Sequence, residues 1–335
     1  MSLIIAYLGI VFVLAIALNA RFLGELFGLM DDPMREKHKQ HILPTPLVGA
    51  LMVGVLASFI IVNQYFFDSS TRLIGVSVCT ILIAVLGVVD DRKQLSWQSR
   101  ILIIGGISAL LVYWVPEMRL QNLIWSFGRT TVLGEYVGAG FAVLCLMTIV
   151  ISVNMMDGFN GGVIGTSAIL FLIMALVATN PHRQAICLFL SSALGVMFIY
   201  NMKGEFFLGD GGAYALGLLL GAVALLTYNV EANITIYADT VFVWFALPTL
   251  DCLRVVVTRK LNKASPFHAS RDHLHHILVD VTGPKRTTLI YALIVSIYGT
   301  LTLISDDKTY IVLLAEFLTL GFLMFTLQRL REEPV

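Results

Sequence analysis

The chain has 335 residues, of which 58% are hydrophobic and 13% are charged, and its 22 basic and 22 acidic residues give a formal net charge of zero. Soluble globular domains carry about 25% charged residues, so this chain lacks the charge to cover a water-exposed surface of its size. Zero net charge excludes a nucleic-acid-binding protein that relies on overall basicity, and the high apolar content excludes intrinsic disorder. The composition predicts an all-α polytopic membrane protein.

A helix needs about 20 mostly apolar residues to cross the hydrocarbon core of a membrane. By this measure the chain holds about eleven transmembrane helices, near 3–20, 46–63, 73–89, 98–115, 136–153, 163–179, 184–200, 212–229, 236–257, 288–304 and 309–328. No basic region precedes the first apolar run and no cleavage site follows it, so it is predicted to be a retained span. The gaps are too short for a soluble domain, so residues 1–335 are predicted to form a single integral-membrane domain.

Lysine and arginine are unevenly distributed between the two sides of this topology. Seventeen of the 22 basic residues lie in connections after odd-numbered spans or in the C-terminal tail, and six of the seven histidines share that side. Because basic residues mark the cytoplasmic side, the N-terminus is predicted to be outside and the C-terminus cytoplasmic. The predicted cytoplasmic loops are about 21–45, 90–97, 154–162, 201–211 and 258–287.

Aspartates also gather at the cytoplasmic ends of the spans, although acidic residues contribute little to topology. They are Asp31, Asp32, Asp90, Asp91, Asp157, Asp210, Asp251 and Asp272. Carboxylates, imidazoles and basic side chains on one face indicate an active site for a polyanion and a metal ion at the inner membrane surface. Ordinary loop charges explain part of this clustering, but not the acids at the span ends.

Asp90 and Asp91 are adjacent carboxylates at the end of the third span. Two such groups repel each other and resist desolvation, and a bound cation removes both penalties. Hard oxygen ligands favour Mg²⁺, which is usually held by one or two carboxylates together with substrate phosphates. The alternative is a helix end that simply stops in water.

The segment NMMDGFNGG, residues 154–162, separates the fifth and sixth spans. Its glycines and asparagines disfavour a helix, and non-helical backbone at membrane depth is tolerated only inside protein or beside a cavity. Asp157 is predicted to face a metal ion or a phosphate, and Asn154 to offer its amide. A plain tight turn between two spans is the alternative.

Glycines surround Asp210 at the start of the eighth span. Glycines just before a helix N-terminus leave backbone N–H groups pointing outward, which suits phosphate binding. Asp210 itself is either a helix N-cap, which stabilises by about 1 kcal/mol, or a metal ligand. The sequence favours neither role over the other.

The last cytoplasmic loop contains His268, Arg271, His273 and His275. Without cysteine or a zinc motif that includes glutamate, these histidines make a poor zinc site. Imidazoles beside an arginine suit a phosphate or a nucleotide better. Attraction to anionic lipid is the alternative.

The first cytoplasmic loop is basic and leads through a proline-bounded segment into the second span. Its Arg35 and Lys37 are predicted to bind a lipid phosphate at the interface. Inside the spans, Gly217 and Gly221 are predicted to be a helix-packing pair, and Glu316 to be hydrogen-bonded between helices. The four cysteines lie in apolar runs without metal-ligand spacing and are predicted to be small buried residues.

Taken in this order, the motifs resemble those of the polyprenyl-phosphate N-acetylhexosamine-1-phosphate transferases, which include the WecA and TagO types and, more distantly, the MraY type. The resemblance covers about residues 1–330 through five loops. The residues that it implies to be catalytic are Asp90, Asp91 and Asp157, and those that it implies to bind Mg²⁺ (with Mn²⁺ as the alternative) are Asp210, Asp91 and Asp157. The residues that it implies to bind substrate are Asn154, His273, His275, Arg271, His268, Lys37, Arg35, Asn160 and Asp251.

Three positions depart from the family pattern. Asn160 stands where the family often has a second Asp, and Ala50 replaces the second Gly at the start of the second span. The Gly-Asp loop of the family often continues with Gly-Ser or Ala-Gly-Ser, whereas here Ala213 follows Gly212. The departures leave the subfamily open, and with it the sugar.

The resemblance implies a Mg²⁺-dependent glycosyl-1-phosphate transferase of the bacterial cytoplasmic membrane. Undecaprenyl phosphate would attack the β-phosphate of a UDP-N-acetylhexosamine, with UDP-GlcNAc as the first choice. UMP would leave, and the lipid-linked sugar pyrophosphate would initiate a cell-envelope polysaccharide such as O-antigen. The implied partners are these two substrates and membrane lipid. Whether the protein is a homodimer stays open, because apolar spans hide a subunit contact from composition.

Two other classes of function compete with this interpretation. Intramembrane acids and glycine-interrupted spans are also typical of ion-coupled transporters. Transporter sites lie near the bilayer midplane, however, whereas these acids lie at the inner edge of the spans. An inactive membrane scaffold of the same fold is the third class, and it is favoured if Asn160 disables the site.

Overall fold

A computed structural model of the chain describes residues 3–31, 44–67, 71–230, 235–263 and 271–332. Within these ranges the chain is helical apart from one short hairpin. The helices are α1 Leu3–Leu18, α2 Ala20–Phe27, α3 Gly49–Phe67, α4 Arg72–Lys93, α5 Trp97–Trp114, α6 Gly134–Met156, α7 Gly162–Val177, α8 Pro181–Met202, α9 Gly209–Val230, α10 Ala238–Leu261, α11 Leu274–Thr282, α12 Pro284–Ile304 and α13 Thr309–Glu332. The hairpin consists of β1 Asn122–Trp125 and β2 Arg129–Val132, which pair antiparallel.

The structure confirms an all-helical, multi-pass membrane protein, but it does not confirm the count of eleven spans. Among the described residues, nine helices are long and apolar enough to cross a membrane, and α1 with α2 makes a tenth only if this pair, bent by 76°, is one span. Helix α7 has 16 residues and is therefore about 24 Å long, which is shorter than the roughly 30 Å hydrocarbon core.

Several helices extend beyond the apolar runs because capping residues set their ends. Helix α5 begins after Ser96, whose Oγ accepts a hydrogen bond from the backbone N–H of Ser99 at 3.2 Å. Helix α8 begins at Pro181, and the Oδ1 of Asn180 accepts from the next two backbone N–H groups. Such caps lie outside the hydrophobic pattern, so hydropathy alone predicts α8 three residues too short at its start.

Helix α9 lies at the centre of the bundle, packed against α3, α4, α6 and α7. Its residues from Gly211 to Thr227 are all buried, as expected for a helix that is apolar on every side. A Cβ atom on Gly217 would lie 2.9 Å from Val150 Cα, and one on Gly221 would lie 3.1 Å from Leu146 Cδ2. The prediction that these glycines serve helix packing is confirmed.

The hairpin was not predicted, and it joins helix ends at the end of the bundle opposite Asp90, Asp91 and Asp210. The backbone N–H of Ser126 donates to Asp239 Oδ1 at 3.0 Å, and its hydroxyl donates to Asp239 Oδ2. The backbone N–H of Tyr310 donates to Ser126 Oγ at 3.0 Å. Ser126 therefore joins the N-termini of α10 and α13. Each strand has only four residues, and the hairpin is held by contacts from distant parts of the chain. The local sequence therefore gives no clear pattern that would predict it.

Candidate active site

The site begins where α4 and α9 touch backbone to backbone. A Cβ atom on Gly87 would lie only 2.2 Å from Gly211 Cα and 2.4 Å from its nitrogen. No side chain can stand between the helices at this point. The close approach brings Asp90 and Asp91, which lie one turn further along α4, beside the N-terminus of α9.

Asp91 caps α9 from another helix. Its Oδ1 accepts from the backbone N–H of Asp210 at 3.0 Å, and its Oδ2 accepts from that of Gly211 at 3.2 Å. Asp210 is the second residue of α9, so the alternative in which it is the N-cap is wrong. The expectation that glycine-rich N–H groups point outward to a phosphate is also wrong for these two groups, because Asp91 occupies them.

The carboxylate of Asp210 faces the end of α6. Its Oδ1 accepts a hydrogen bond from Asn154 Nδ2 at 2.9 Å. Three predicted site residues that are far apart in the sequence, Asp91, Asn154 and Asp210, therefore meet at one point. Both carboxylates belong to the set predicted to bind the metal.

Asp90 points away from this meeting point into the protein. It is 1% exposed; its Oδ1 accepts from the backbone N–H of Leu95 at 2.9 Å, and its Oδ2 accepts from the Tyr214 hydroxyl at 3.0 Å. Arg100 Nε lies 2.9 Å from the same Oδ2. Asp90 therefore connects two parts of the protein: the turn between α4 and α5, and helix α9. Tyr214 stands four residues after Asp210 on one face of a helix, which is the one sequence signal that could have identified it.

The segment 154–162 forms the C-terminal end of α6 and the turn into α7, with Asp157 as the C-cap residue of α6. Asn201, which is buried, accepts from the backbone N–H of Gly161 at 2.6 Å and donates through Nδ2 to Phe206 O at 2.9 Å. Thr288 Oγ1 donates to the backbone oxygen of Asn160 at 2.9 Å. Asn201 and Thr288 hold the turn in place, and no sequence motif contains them.

Asp251 organises the start of α11. Its Oδ2 lies 2.9 Å from His273 Nδ1, and its Oδ1 accepts from the backbone N–H of Leu274, the first residue of α11, at 3.0 Å. Arg254 Nη2 donates to the same Oδ1 at 2.7 Å. Asp251 therefore orients the His273 ring and fixes the first turn of α11, so its contribution to the site passes through His273.

His275 lies where α11 meets the turn after α6. Its ring stacks against that of Phe159 at 5.7 Å between centroids and against that of His273 at 5.6 Å. A Cβ atom on Gly158 would lie 2.3 Å from His275 Nε2. His275 is 1% exposed, and neither of its ring nitrogens has a hydrogen-bond partner among the described residues. Buried polar atoms are normally paired, so the two nitrogens mark His275 as a candidate ligand-binding residue.

Burial and nearby positive charge hold two histidines of α11 in their neutral form. Burial, followed by electrostatic interaction with Arg271 and His273, lowers the pKa of His276 to about 4. Burial, followed by the neighbouring His276 and His273, lowers the pKa of His275 well below its ordinary value.

This arrangement predicts an acid-sensitive fold. Because the folded-state pKa of His276 lies below the unfolded value of about 6.5, its contribution to stability is complete above pH 6.5 and is lost as the pH falls toward 4. We expect the unfolding temperature of the purified protein to fall progressively between pH 7 and pH 4.5. The substitution His276→Gln should weaken the dependence of the unfolding temperature on pH. An unchanged dependence would contradict the role given to His276.

The predicted site residues fall into two groups joined by the turn after α6. The first group consists of Asp90, Asp91, Asn154 and Asp210, and the second of Asp251, His273 and His275. Asp157 and Asn160 lie in the turn between them. Arg271 is exposed and forms an ion pair with Asp280 at 2.8 Å on α11, outside both groups. The predicted residues Arg35, Lys37 and His268 lie outside the described residues.

The donor set of the first group fits a magnesium ion. Among the residues described, no group of three or more His, Cys, Asp or Glu side chains is placed to hold a metal ion. Mg²⁺ needs only one or two carboxylates, because water and phosphate oxygens complete its shell. Asp91 and Asp210 supply carboxylates of the required kind.

The stretch of chain that builds this first group also matches a known family. Residues 73–228, from α4 to α9, match the model of glycosyl transferase family 4. This part of the chain is therefore similar to that family. It contains Asp90, Asp91, Asn154, Asp157 and Asp210, and the resemblance inferred from the motifs is confirmed.

Relatives extend the similarity beyond this stretch. The undecaprenyl-phosphate alpha-N-acetylglucosaminyl 1-phosphate transferase of Yersinia pestis is 26% identical over 332 residues, which cover 94% of this chain and 87% of the relative. The protein of the same name from Escherichia coli (strain K12) is 25% identical, covering 91% and 84%. The one from Salmonella typhimurium is 23% identical, covering 81% and 74%. The similarity to these transferases thus extends over nearly the whole chain.

Proposed function

We propose that the protein transfers an N-acetylhexosamine 1-phosphate, with GlcNAc 1-phosphate as the first choice, from a UDP-sugar to undecaprenyl phosphate. UMP is released, and the lipid-linked sugar pyrophosphate initiates a cell-envelope polysaccharide. The observation that carries this proposal is the junction of Asp91, Asn154 and Asp210 at the N-terminus of α9, inside the stretch that matches the family. The names of the relatives support the acceptor and the transferred group.

We place the site at the cytoplasmic face of the bacterial inner membrane, in a bundle that crosses it eleven times with its N-terminus outside. The distribution of basic residues supports this orientation. The alternation of helix ends supports the count, because α7 runs from the site end of the bundle toward the opposite end although it is short. Fourteen of its 16 residues are fully or partly buried, so protein rather than lipid covers much of its surface.

The bound Mg²⁺ would neutralise charge on the donor pyrophosphate, and Asp210 and Asp91 would hold it. Asp91 is preset for this task, because two backbone N–H groups fix the direction of its carboxylate. Asp157, at the end of α6, would complete the polar wall of the site. Phosphoryl transfer depends mostly on positioning and on neutralising charge. The side chains would supply the positioning, and the ion that they would hold would supply the neutralisation.

Asp90 has a different role in this proposal. Its carboxylate is buried, accepts two hydrogen bonds and forms an ion pair with Arg100, so it positions Asp91 and the α4–α5 turn. A phosphate monoester is already anionic near pH 7, so the lipid needs no strong base to become a nucleophile. The chemistry therefore does not require Asp90 to act as a general base.

The second group would receive the nucleotide. His273, oriented by Asp251, and the unpartnered ring nitrogens of His275 would contact phosphate or uridine, and Phe159 offers an aromatic face beside them. Asn160, Arg271 and the loop residue His268 would lie at the edge of this pocket. Arg35 and Lys37 keep their predicted role as partners of the lipid phosphate.

The proposal is tested with purified protein in lipid nanodiscs, undecaprenyl phosphate, Mg²⁺ and a panel of UDP-sugars. We expect UMP release with one UDP-N-acetylhexosamine, abolished when either the lipid phosphate or Mg²⁺ is left out. Absence of UMP with every sugar, from protein that keeps its unfolding transition, would refute the proposal. The panel also identifies the sugar.

A further inference from the structure

Helix α2 turns sharply away from α1, and most of its residues are exposed. It turns by 76° from α1 and has eight residues. Phe22 and Leu26, which stand four residues apart on one face, are 63% and 61% exposed. They continue the apolar surface of α1, where Leu18 is 64% exposed. In a membrane protein, lipid covers a surface of this kind.

The other faces of α2 are polar or packed on protein. Arg21 and Glu25 are exposed and form an ion pair at 3.2 Å. Gly24 is buried, and a Cβ atom there would lie 2.7 Å from Met30 Sδ and 2.8 Å from Pro46 Cβ. A short helix with one apolar face, one charged face and a sharp turn from a spanning helix is typical of a helix in the membrane interface.

A cavity of about 140 Å³ opens at the C-terminal end of α2. Its lining residues are Gly28, Leu29, Met30, Leu47, Asp91 and Arg92. This volume exceeds by far the space that one water molecule needs. Gly28 adopts a left-handed conformation with φ of 62°, which ends α2 and turns the chain around the cavity.

Arg92 and Asp91 connect this cavity to two helices at once. The Arg92 guanidinium donates to the backbone oxygen of Phe27 at the end of α2, while Asp91 caps α9. Arg92 brings a positive charge to the cavity wall. The negative charge of Asp91 is partly balanced by the two N–H groups at the N-terminus of α9, where the helix dipole is positive.

We propose that α2 lies in the plane of the membrane surface and that the cavity at its end binds the phosphate head group of the polyprenyl phosphate. Arg92 is a cationic partner of the phosphate in addition to the predicted Arg35 and Lys37, and Phe22 and Leu26 contact the first part of the lipid chain. The face formed by Phe22 and Leu26 leads along one turn of α2 toward the cavity, so a lipid lying on it brings its head group to Asp91. This inference rests on the proposed function for the identity of the lipid.

The test measures binding and needs no turnover. A photoreactive polyprenyl phosphate is cross-linked to the full-length protein in nanodiscs, and mass spectrometry locates the label. We expect label on α2, competed by polyprenyl phosphate but not by polyprenol, inorganic phosphate or phosphatidic acid. Label elsewhere would overturn the proposal, and equal competition by phosphatidic acid would overturn the assignment to the polyprenyl lipid.

Two variants with matched controls refine the test. We expect F22S/L26S and Arg92→Gln each to raise the Kd for polyprenyl phosphate at least tenfold and to leave the Kd for the UDP-sugar unchanged. Phe322→Ser, at a position 72% exposed on α13, and Arg21→Gln should bind both ligands as the wild type does. Wild-type affinity in both site variants would refute the proposal.

Failure of this inference and failure of the proposed function are distinguishable. Lipid binding and labelling at α2 without UMP release from any sugar would leave the lipid site standing and remove the transferase activity. UMP release together with label that maps away from α2 would support the transferase activity and overturn the lipid site. Because Arg92 also contacts the backbone of α2, the unfolding temperature of Arg92→Gln is compared with that of F22S/L26S, which leaves that contact intact.

Discussion

Asp210→Asn is expected to lower kcat for UMP release by about 10²–10³-fold, the loss typical when one charge-stabilising group is removed from an active site. The amide keeps the shape of the side chain and can still bond to Asn154, but it offers a much weaker ligand to Mg²⁺. We also expect the Mg²⁺ concentration for half-maximal activity to rise. A magnesium titration of initial rates for both proteins measures the two effects together.

The control for Asp210→Asn is Asp307→Asn, the same chemical change at an exposed position at the other end of the bundle. It should keep wild-type rates and the wild-type dependence on magnesium. If Asp210→Asn had the same magnesium dependence as the wild type and lost less than threefold in kcat, Asp210 would not be a metal ligand. Equal unfolding temperatures for the two variants would separate loss of metal from loss of fold.

The geometry gives three consecutive residues at the end of α4 three different tasks. Asp90 binds inward to Tyr214 and the α4–α5 turn, Asp91 caps α9, and Arg92 reaches the end of α2. Successive residues of a helix point about 100° apart, so one turn can contact three elements. The end of α4 thereby joins the proposed metal site, the protein core and the membrane surface.

Part of this arrangement could be predicted from the sequence. Hydropathy identified the apolar helices, and residue chemistry at the span ends marked Asp91, Asn154 and Asp210, because carboxylates and amides at such positions are costly without a partner. The pairing of Asp91 with the N-terminus of α9 could not be predicted, since it joins residues 119 positions apart. Local patterns carry no information about which helix end another helix will meet.

The second group illustrates the same limit. The spacing of His273 and His275 indicated a ligand site, but the partner that orients His273 lies in another helix, at Asp251. Asn201 holds the turn after α6 from a position with no motif around it. Its role follows from burial and from two backbone hydrogen bonds, which appear only when the fold has formed.

Gly87→Ala should be the most damaging single-methyl change near the site. The added Cβ would lie 2.2 Å from Gly211 Cα, a distance that forces α4 and α9 apart, because both contacting atoms belong to backbone. Overpacking of this kind costs about 1–3 kcal/mol. The shift also separates Asp91 from the N–H groups that orient it, and a displacement near 1 Å can lower a rate about 10²-fold. We therefore expect kcat to fall about 10²-fold with only a moderate decrease in unfolding temperature.

Gly54→Ala and Gly106→Ala are matched controls for this prediction, since a Cβ atom at either position meets no atom within 4 Å. Both lie inside apolar helices, where alanine favours the helix by about 1 kcal/mol over glycine, so they should keep activity and retain or gain stability. Wild-type kcat in Gly87→Ala would mean that the α4–α9 contact tolerates separation. In that case the capping of α9 by Asp91 would not be what positions the metal site, and Asp210 and Asn154 would be the residues that position it.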